Sequence, residues 1–434
     1  MTTKTARKTT DQEKVAAKDF PASKRTRLVV AMVTYIFPPS YGGAAIQALE
    51  LAKSLKRLGV QSFFVAANFA NAPACEELEG IPVYRFQTVA SPRFSYLIFM
   101  LKVLRLLFKK RKSYDLIHFH SIKPFSFLIT LLAKVLRKPA LVSLSLIGND
   151  DPKGLKAKSK LWAIEAQMYK HLETVNCVST ALKKSCLDEG ILPENIATIP
   201  YGVDELKFAR PKNSGVKKEI RRALGIPEQA FVCLFVGRVS LRKGCDLLFE
   251  AWREVLKTNP KDFFLTLVGP YGDHVFMSEA GKNFDAQVQE NVQSAEALRM
   301  KFTGQIDIEE TSRYFQAADC FVFPSVVEGF GIVVIEAMAC GVPVIATRIE
   351  DVTEDIIDDR ADGIILEDRD PKALAQAILE LQRDQKLYAK LSKNAVQKVE
   401  QQFTLSSVAA RHVVLYERLL LHKRKNGVNG VAHE

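Results

Sequence analysis

The sequence alternates short runs of β-branched and aromatic residues with longer stretches of helical periodicity, and this alternation most constrains the fold. In the first half, Ile46–Leu58 has the apolar spacing of a helix, and the predicted strands are 28–33, 63–66, 116–119, 141–144 and 174–178. The pattern restarts with predicted strands at 231–236, 264–268, 320–323 and 342–346. Such alternation is typical of doubly wound α/β sheets, so we expect two of them.

The chain divides between these two series. Its 434 residues suffice for two domains of about 150 to 200 residues each. Turn-forming residues at Pro200–Asp204 and Lys207–Pro211 suit a linker between them. Residues 1–26 lack an apolar stretch, which predicts a disordered basic tail. The predicted domains are residues 27–205 and 206–402, and ligands are expected in a cleft at the carboxyl ends of their strands.

The composition limits the partners and the compartment. A formal net charge of +12 favours polyanions, namely nucleic acid, anionic lipid or phosphorylated substrates. The seven cysteines form no CxxC pair, which predicts reduced, buried thiols and a cytoplasmic protein. The longest apolar stretches, 94–108 and 125–135, are interrupted by basic residues and fall short of the roughly 20 residues that span a bilayer. We therefore expect a soluble or membrane-peripheral protein.

Two glutamates accompany a pair of glycines between two predicted strands of the second half. Glu328 lies next to Gly329 and close to Gly331, and these glycines permit a tight loop that approaches a ligand closely. From Ile332 the sequence is typical of a buried helix, so Glu336 would lie in apolar surroundings and need a partner. The amino end of this helix would direct unpaired N–H groups towards sugar hydroxyls or phosphate oxygens.

This arrangement resembles the E-x7-E motif of the retaining glycosyltransferases of family 4 (group 1), which have the GT-B fold of two facing Rossmann-like domains. The resemblance extends over about Leu28–Leu420. Its other motifs are G-R-x4-K-G at Gly237–Gly244, Phe302–Gly304 before a predicted helix at 309–318, the Pro-Pro-x-x-Gly-Gly loop at Pro38–Gly43, His118–His120 at a strand end and Val178–Ser179 before a helix. Each motif alone is weak, but their order and spacing together are specific.

The resemblance implies that the cleft binds a nucleotide-diphosphate sugar. In the family, the residues matching Arg238 and Lys243 hold the donor diphosphate, and fixed cations stabilise the negative charge of the leaving group. The residue matching Glu328 contacts the donor sugar, and the residue matching Glu336 binds the ribose. The other implied donor-binding residues are Gly42 and Gly43 before the first helix, and Phe330, Gly331 and Ile332 at the start of the helix after the motif.

The resemblance also implies a mechanism. His120 is predicted to end a strand at the cleft and matches a family histidine near the reacting centre. The implied catalytic residues are Glu328, His120, Arg238 and Lys243. Retention in the family is assigned to a same-face mechanism, in which the leaving phosphate oxygen takes the acceptor's proton and no covalent enzyme intermediate forms. No metal and no cofactor is expected; the co-substrate would be a nucleotide sugar such as a UDP- or GDP-sugar.

Some positions depart from the family pattern. Ile147 stands where the family's Thr-x-His-Gly motif has its histidine, and Tyr201 replaces the asparagine of P-N-G-V. The pair Glu350–Asp351 replaces two glycines near the donor sugar, which leaves the identity of the sugar open. The position of Asp150–Asp151 suits acceptor or sugar contacts better than a metal site.

The predicted reaction transfers a hexose-type sugar to a glycan or lipid-linked acceptor in polysaccharide or glycolipid assembly. A soluble disaccharide or glucan synthase of the same family is an alternative. A basic nucleic-acid-binding protein without transferase activity is an alternative from another class, but no nucleic-acid partner is expected because the cations are not interleaved with aromatics. A dinucleotide-dependent oxidoreductase is disfavoured, since no predicted strand is followed by GxGxxG.

Two further segments carry predictions. Phe94–Lys112 combines spaced apolar residues with clustered cations. This pattern suits an anionic membrane surface, here the inner face of the cytoplasmic membrane, but it equally suits an ordinary helix with a solvated basic end. Residues 403–422 resemble the family's closing helix, which crosses back to the first domain, and residues 423–434 are expected to be loose.

Overall fold

The computed structural model describes residues 28–39, 42–69, 71–88, 92–120, 122–258, 260–272 and 279–429. The predicted basic tail, residues 1–26, lies outside these described residues. Within the described part, no helix combines the length and the apolarity needed to cross a bilayer. Six cysteines are buried, as predicted, but Cys75 is exposed because it starts an edge strand.

The first half forms an eight-stranded sheet in the order β3-β4-β2-β1-β5-β6-β7-β8. All neighbours in it pair in parallel except β3 and β4. The strands are β1 (Val29–Val33), β2 (Gln61–Asn68), β3 (Cys75–Leu78), β4 (Ile81–Gln87), β5 (Leu116–Phe119), β6 (Ala140–Leu144), β7 (Thr174–Cys177) and β8 (Ile196–Thr198). The central strands are buried on both faces, as expected of parallel strands covered by helices.

Helices connect these strands. They are α1 (Gly43–Arg57), α2 (Pro92–Lys109), α3 (Phe127–Val135), α4 (Pro152–Lys158), α5 (Lys160–Met168) and α6 (Thr180–Asp188). Because β1, β5 and β6 are parallel neighbours, the segments that follow them emerge at one edge of the sheet. This edge carries the start of α1 and the loop between β6 and α4.

The second half forms a six-stranded parallel sheet in the order β11-β10-β9-β12-β13-β14. Its strands are β9 (Phe231–Val236), β10 (Phe263–Val268), β11 (Met300–Phe302), β12 (Cys320–Phe323), β13 (Val344–Thr347) and β14 (Ile364–Leu366). Its helices are α7 (Ser214–Ala223), α8 (Cys245–Leu256), α9 (Glu279–Gln293), α10 (Thr311–Ala317), α11 (Ile332–Ala339), α12 (Pro371–Arg383) and α13 (Gln385–Gln402). Two doubly wound α/β sheets therefore confirm the predicted fold class.

The last helix, α14 (Leu405–Asn429), packs on α1 of the first half. The chain enters it through backbone hydrogen bonds between Val203 and the segment around Thr404. Inside the first half, the hydroxyl of Tyr416 lies 2.8 Å from Nδ1 of His118. The helix continues to Asn429, six residues past the start of the predicted loose end at 423, and the looseness of this end stays a prediction.

Candidate active site

The segment Pro324–Gly331, which we call the acidic loop, connects β12 to α11 and is fixed by bonds from three other segments. The amide of Val326 donates to the carbonyl of Arg242 at 2.9 Å. The hydroxyl of Thr347 donates to the carbonyl of Ser325 at 2.8 Å. The guanidinium of Arg369 donates to the carbonyl of Pro324 at 2.8 Å. The loop is therefore held in place independently of any ligand.

The structure brings two predicted site residues, Glu328 and Lys243, into direct contact. The Lys243 ammonium lies 2.5 Å from Oε1 of Glu328, and Glu328 is only 8% exposed. Arg242 also reaches this carboxylate at 3.4 Å and donates to the carbonyl of Val327 at 3.0 Å. Sequence reasoning missed Arg242, although it occupies the last variable position of G-R-x4-K-G, directly before Lys243. Two cations thus converge on the glutamate of the loop.

Arg238, the other predicted diphosphate contact, follows β9 at the start of the segment that leads to Lys243. Its side chain is exposed and forms no ion pair with any residue that the structure describes. Gly237 and Gly244 bracket this segment with φ values of 142° and 71°. At Gly244 a Cβ atom would lie 1.8 Å from the carbonyl oxygen of Pro324, so glycine is needed for the close contact with the acidic loop.

Gly329 lets the acidic loop touch the first half of the molecule. A Cβ atom at this position would lie 1.9 Å from the carbonyl oxygen of Ser145 and 2.8 Å from the amide nitrogen of Leu146. Ser145 directly follows β6 and therefore stands at the edge where the first sheet meets the second half. Only glycine leaves enough room for this approach of two backbones.

The amino ends of two helices also meet between the two halves. Helix α1 starts at Gly43 after its N-cap Gly42, and α11 starts at Ile332 after Gly331, which has a φ of 108°. A Cβ atom on Gly43 would lie 3.7 Å from Cδ1 of Ile332, an ordinary van der Waals contact. The first N–H groups of a helix lack intrahelical acceptors and carry a partial positive charge. Two such ends side by side favour an anion.

The side chain of Phe330 is buried, so only the backbone of this residue is placed to contact a ligand. The ring is 2% exposed and packs edge-on between Tyr201 at 6.0 Å and Phe403 at 5.9 Å. Tyr201, one of the departures from the family pattern, therefore contacts the acidic loop from the chain segment that joins the two halves. The buried ring anchors the start of α11.

Glu336 lies one turn into α11. Burial raises the pKa of its carboxyl group from the ordinary 4.5 to about 7, and the nearby Lys207 ammonium lowers it in part. Lys207 itself pairs with Glu309 at 3.0 Å. Among the described residues, no donor is hydrogen-bonded to the Glu336 carboxylate, so the group can accept bonds from a ligand.

His120 lies in a buried cluster of histidines. It is 5% exposed, its ring centroid is 4.0 Å from that of His118, and its Nε2 has no hydrogen-bond partner among the described residues. Burial, together with His412, lowers the pKa of His120 to about 3, so the ring is neutral. The structure does not bring this ring to Glu328: it borders a cavity of about 20 Å³ that Gly202 and His412 also line. Its catalytic role stays a prediction.

Asp150 and Asp151, the first acidic pair that the sequence singled out, are engaged within the protein. The Asp150 carboxylate accepts bonds from the amides of Ser145 and Leu146, both at 2.9 Å, and from the Ser145 hydroxyl. Asp151 caps α4 and accepts from Ser185 at 2.6 Å. Both therefore organise the loop after β6, and the acceptor or sugar contact expected of them stays a prediction.

Asp351 pairs with Lys184 of α6, and its carbonyl accepts from the amide of Ala181 at 3.1 Å. Nearby, the Asp355 carboxylate accepts from the amide and the hydroxyl of Thr180 at 2.5 and 2.8 Å. These contacts join the loop after β13 to the amino end of α6 in the first half. Asp351 thus serves contact between the halves.

Comparison with known proteins assigns this geometry to a family. The model of Glycosyltransferase Family 4 matches residues 41–205, and the model of Glycosyl transferases group 1 matches residues 216–398. The chain belongs to the family 4 (group 1) glycosyltransferases and is a glycosyltransferase. This result confirms the resemblance drawn from the motifs and excludes the alternative of a nucleic-acid-binding protein without transferase activity.

Individual relatives agree. An uncharacterised glycosyltransferase of Methanocaldococcus jannaschii is 27% identical over 401 residues, 89% of this chain and 97% of that protein. A D-inositol 3-phosphate glycosyltransferase of Catenulispora acidiphila is 31% identical, but the match spans only 53% of this chain and 52% of that relative. The crystal structure of Anabaena HepE with UDP-glucose superposes on this chain with a TM-score of 0.71 at 20% identity. The match covers 90% of this chain and 100% of the HepE chain. This similarity confirms the GT-B fold.

Replacing Gly329 with alanine should separate the two halves locally, because the added Cβ would overlap the Ser145 carbonyl. We expect the midpoint of thermal unfolding to fall by a few degrees. Gly43→Ala is the matched control, since its Cβ meets only an ordinary contact at the same interface. Equal midpoints for Gly329→Ala and the wild type would show that this approach is not needed.

Glu336 should make stability depend on pH. Because folding raises the pKa of its carboxyl from 4.5 to about 7, its contribution is full below pH 4.5 and is lost as the pH rises through 7. Glu336→Gln, which is neutral throughout, should therefore raise the unfolding midpoint more at pH 8 than at pH 5. Glu250→Gln, at an exposed position on α8, should give no such difference. The same change at both pH values would contradict the assignment.

Proposed function

We propose that this glycosyltransferase transfers a hexose-type sugar, with retention, from a nucleotide-diphosphate donor such as a UDP- or GDP-sugar to a glycan or lipid-linked acceptor. The observation that carries the proposal is the contact of Lys243 with Glu328 on the acidic loop. It places a fixed cation beside a carboxylate that can accept bonds from two hydroxyls. Such a pair suits a sugar bound next to a phosphate.

The diphosphate would lie between the amino ends of α1 and α11. Gly42 and Gly43 stand at one of these ends, and Phe330, Gly331 and Ile332 stand at the other. Arg238 is exposed and Lys243 is already in the site. Phosphate groups bind at helix amino ends and to arginine and lysine for the same reason, namely compact negative charge.

Glu328 would hold the donor sugar and Glu336 the ribose of the nucleoside. The geometry supports this division of roles. Glu328 lies on the acidic loop and pairs with Lys243, whereas Glu336 lies inside α11 and accepts no hydrogen bond from a described residue. Once ionised, this half-buried carboxylate can accept hydrogen bonds from the two ribose hydroxyls.

The chemical step proposed is a same-face substitution at the anomeric carbon. The bond from this carbon to the diphosphate oxygen breaks, the acceptor hydroxyl oxygen bonds to the carbon on the same face, and its proton passes to the leaving phosphate oxygen. Arg238 and Lys243 stabilise the charge that gathers on the diphosphate. His120 would position the acceptor or the sugar, which requires its ring to become accessible on ligand binding.

Donor binding can be tested by thermal shift with UDP-glucose, GDP-mannose and ADP-glucose, each compared with its free nucleoside diphosphate. The wild type should be stabilised more by one sugar nucleotide than by its nucleoside diphosphate, because Glu328 contacts only the sugar. Glu328→Gln should lose this difference while keeping the response to the diphosphate.

Glu250→Gln, far in sequence from the acidic loop and exposed, should behave like the wild type in the same screen. An unchanged sugar-specific response in Glu328→Gln would count against the carboxylate as a sugar contact. Failure of every nucleotide to stabilise the wild type would count against the donor site as a whole.

We also propose that α2 and α3 contact an anionic membrane surface, which would suit a lipid-linked acceptor. Apolar side chains on these helices are exposed, with Phe94 65% and Val135 77% accessible. The others are Leu101, Phe108 and Leu131. Exposed cations on or beside the same helices are Arg105, Lys109, Arg111, Lys112 and Lys134. Apolar side chains beside cations suit the boundary between headgroups and acyl chains, where each cation adds about 1 kcal/mol.

Flotation with phosphatidylglycerol vesicles tests this surface. Replacing the four cations at 109–112 with glutamine should abolish flotation. A control variant removes four exposed cations from the second half, namely Lys372, Arg383, Lys386 and Lys393, and should float like the wild type. Equal flotation of both variants would contradict the proposed surface, and flotation of neither would indicate that net charge alone is responsible.

A further inference from the structure

Two lysines converge on one tryptophan at the edge of the first sheet. The ammonium of Lys158 lies 4.6 Å and that of Lys123 lies 6.0 Å from the centroid of the Trp162 ring. Lys123 comes from the segment after β5, and Lys158 and Trp162 come from the helices after β6. The topology thus brings three residues from two neighbouring connections to one place.

The Lys123 ammonium forms no salt bridge with a residue that the structure describes. No carboxylate of the described residues lies within 4.0 Å of it, although the side chain is half-buried. Burial and the neighbouring Lys158 lower its pKa, and the more distant Asp150 carboxylate opposes this effect. That carboxylate is already hydrogen-bonded to Ser145 and Leu146. The carboxylates of Asp150 and Asp151 also act on Lys158 and offset part of the repulsion between the two lysines. An anionic ligand in direct contact with both ammonium groups would lower the remaining cost.

Aromatic rings extend the cluster. Lys123 also lies 5.7 Å from the ring centroid of Tyr35, which follows β1. The Tyr35 ring packs edge-on at 5.1 Å against Phe69, which is 48% exposed. Trp162 is half-buried and Phe69 is exposed, so the accessible parts of two flat apolar rings lie beside the cations. Such faces suit the C–H face of a sugar ring or the carbons of a polyol, whose polar groups remain free for the lysines.

The cluster is bonded to the loop after β6, which in turn meets the acidic loop. Lys158 donates to the carbonyl of Asn149 at 2.7 Å and to its side-chain oxygen at 2.6 Å. Asn149 belongs to the same short loop as Ser145, whose carbonyl faces Gly329. The cluster therefore stands on the first-half side of the cleft, where the acceptor would meet the donor sugar.

We propose that Lys123 and Lys158 bind a phosphate or carboxylate of the acceptor, so that the acceptor is an anionic sugar or polyol whose ring rests on Trp162. This inference rests on the proposed function, since it takes the cleft to hold a donor on the opposite side. Phosphate and carboxylate share the required charge, and the tighter binding of glucose 6-phosphate or of glucuronate in the test below decides between them.

The fluorescence of Trp162 reports on the site directly. The chain has two tryptophans, and the other, Trp252, is fully buried in the second half with its indole N–H bonded to Leu298. Titration of the full chain with glucose 6-phosphate or glucuronate should change the emission in a saturable way. Methyl glucoside, which is neutral, should have no effect at the same concentrations. The change should disappear in Trp162→Phe.

Lysine variants then identify the anion contact. Lys123→Gln should raise the Kd of the anionic probe at least tenfold. Lys158→Gln should also raise this Kd and, because Lys158 is exposed, should not destabilise the core. Lys153→Gln, an exposed lysine on the same α4 helix, is the matched control and should leave the Kd unchanged. Unchanged Kd values in both Lys123→Gln and Lys158→Gln would overturn the proposal.

Two more outcomes would also overturn it. One is binding of methyl glucoside as tight as that of the anionic probes, and the other is binding of inorganic phosphate as tight as that of glucose 6-phosphate, which would indicate an adventitious anion site. Nucleotide-sugar thermal shifts on the same variants keep the two proposals apart. Loss of those shifts with an intact Trp162 response would reject the donor site, whereas intact shifts without a Trp162 response would reject the anionic acceptor.

Discussion

The contact between the backbones of Gly329 and Ser145 sets the geometry of the whole cleft. Without a side chain at Gly329, the acidic loop reaches the edge of the first sheet, and a Cβ there would fall 1.9 Å from the Ser145 carbonyl. The same approach brings the amino ends of α1 and α11 together and places the loop after β6 beside Glu328. The close approach of the two halves at this point thus depends on one missing side chain.

Around this contact some charged side chains are paired with an opposite charge and others are not. Glu328 is compensated by Lys243 and Arg242, and Asp150 is compensated by amides of its own loop. By contrast, Arg238 has no ionic partner and Lys123 has no carboxylate within 4.0 Å among the described residues. The uncompensated cations stand on the two opposite halves, as expected if the donor and the acceptor each carry negative charge.

Sequence patterns predicted what local chemistry determines. Continuous β-branched runs marked the buried central strands, and glycine spacing marked the acidic loop. Strands β3, β4, β8, β11 and β14 were missed. Four of them are only three or four residues long, and β4 alternates buried with more exposed residues instead of forming a continuous apolar run. Contacts between distant residues were also beyond reach: the stacking of His118 against His412 and the pairing of Asp351 with Lys184 depend on which surfaces meet. No local signal distinguished Lys123 from any other lysine.

The hydrogen bonds from Thr180 to Asp355 join the first half to the second and would break if the cleft opened. The first turn of α6 has its amide capped by a carboxylate that belongs to the other half, at 2.5 Å, and the next amide donates to the Asp351 carbonyl. When the halves part, both amides lose these acceptors and meet water. The rate of amide hydrogen exchange at residues 180 and 181 therefore reports how often the two halves separate, and its measurement needs no label in the site.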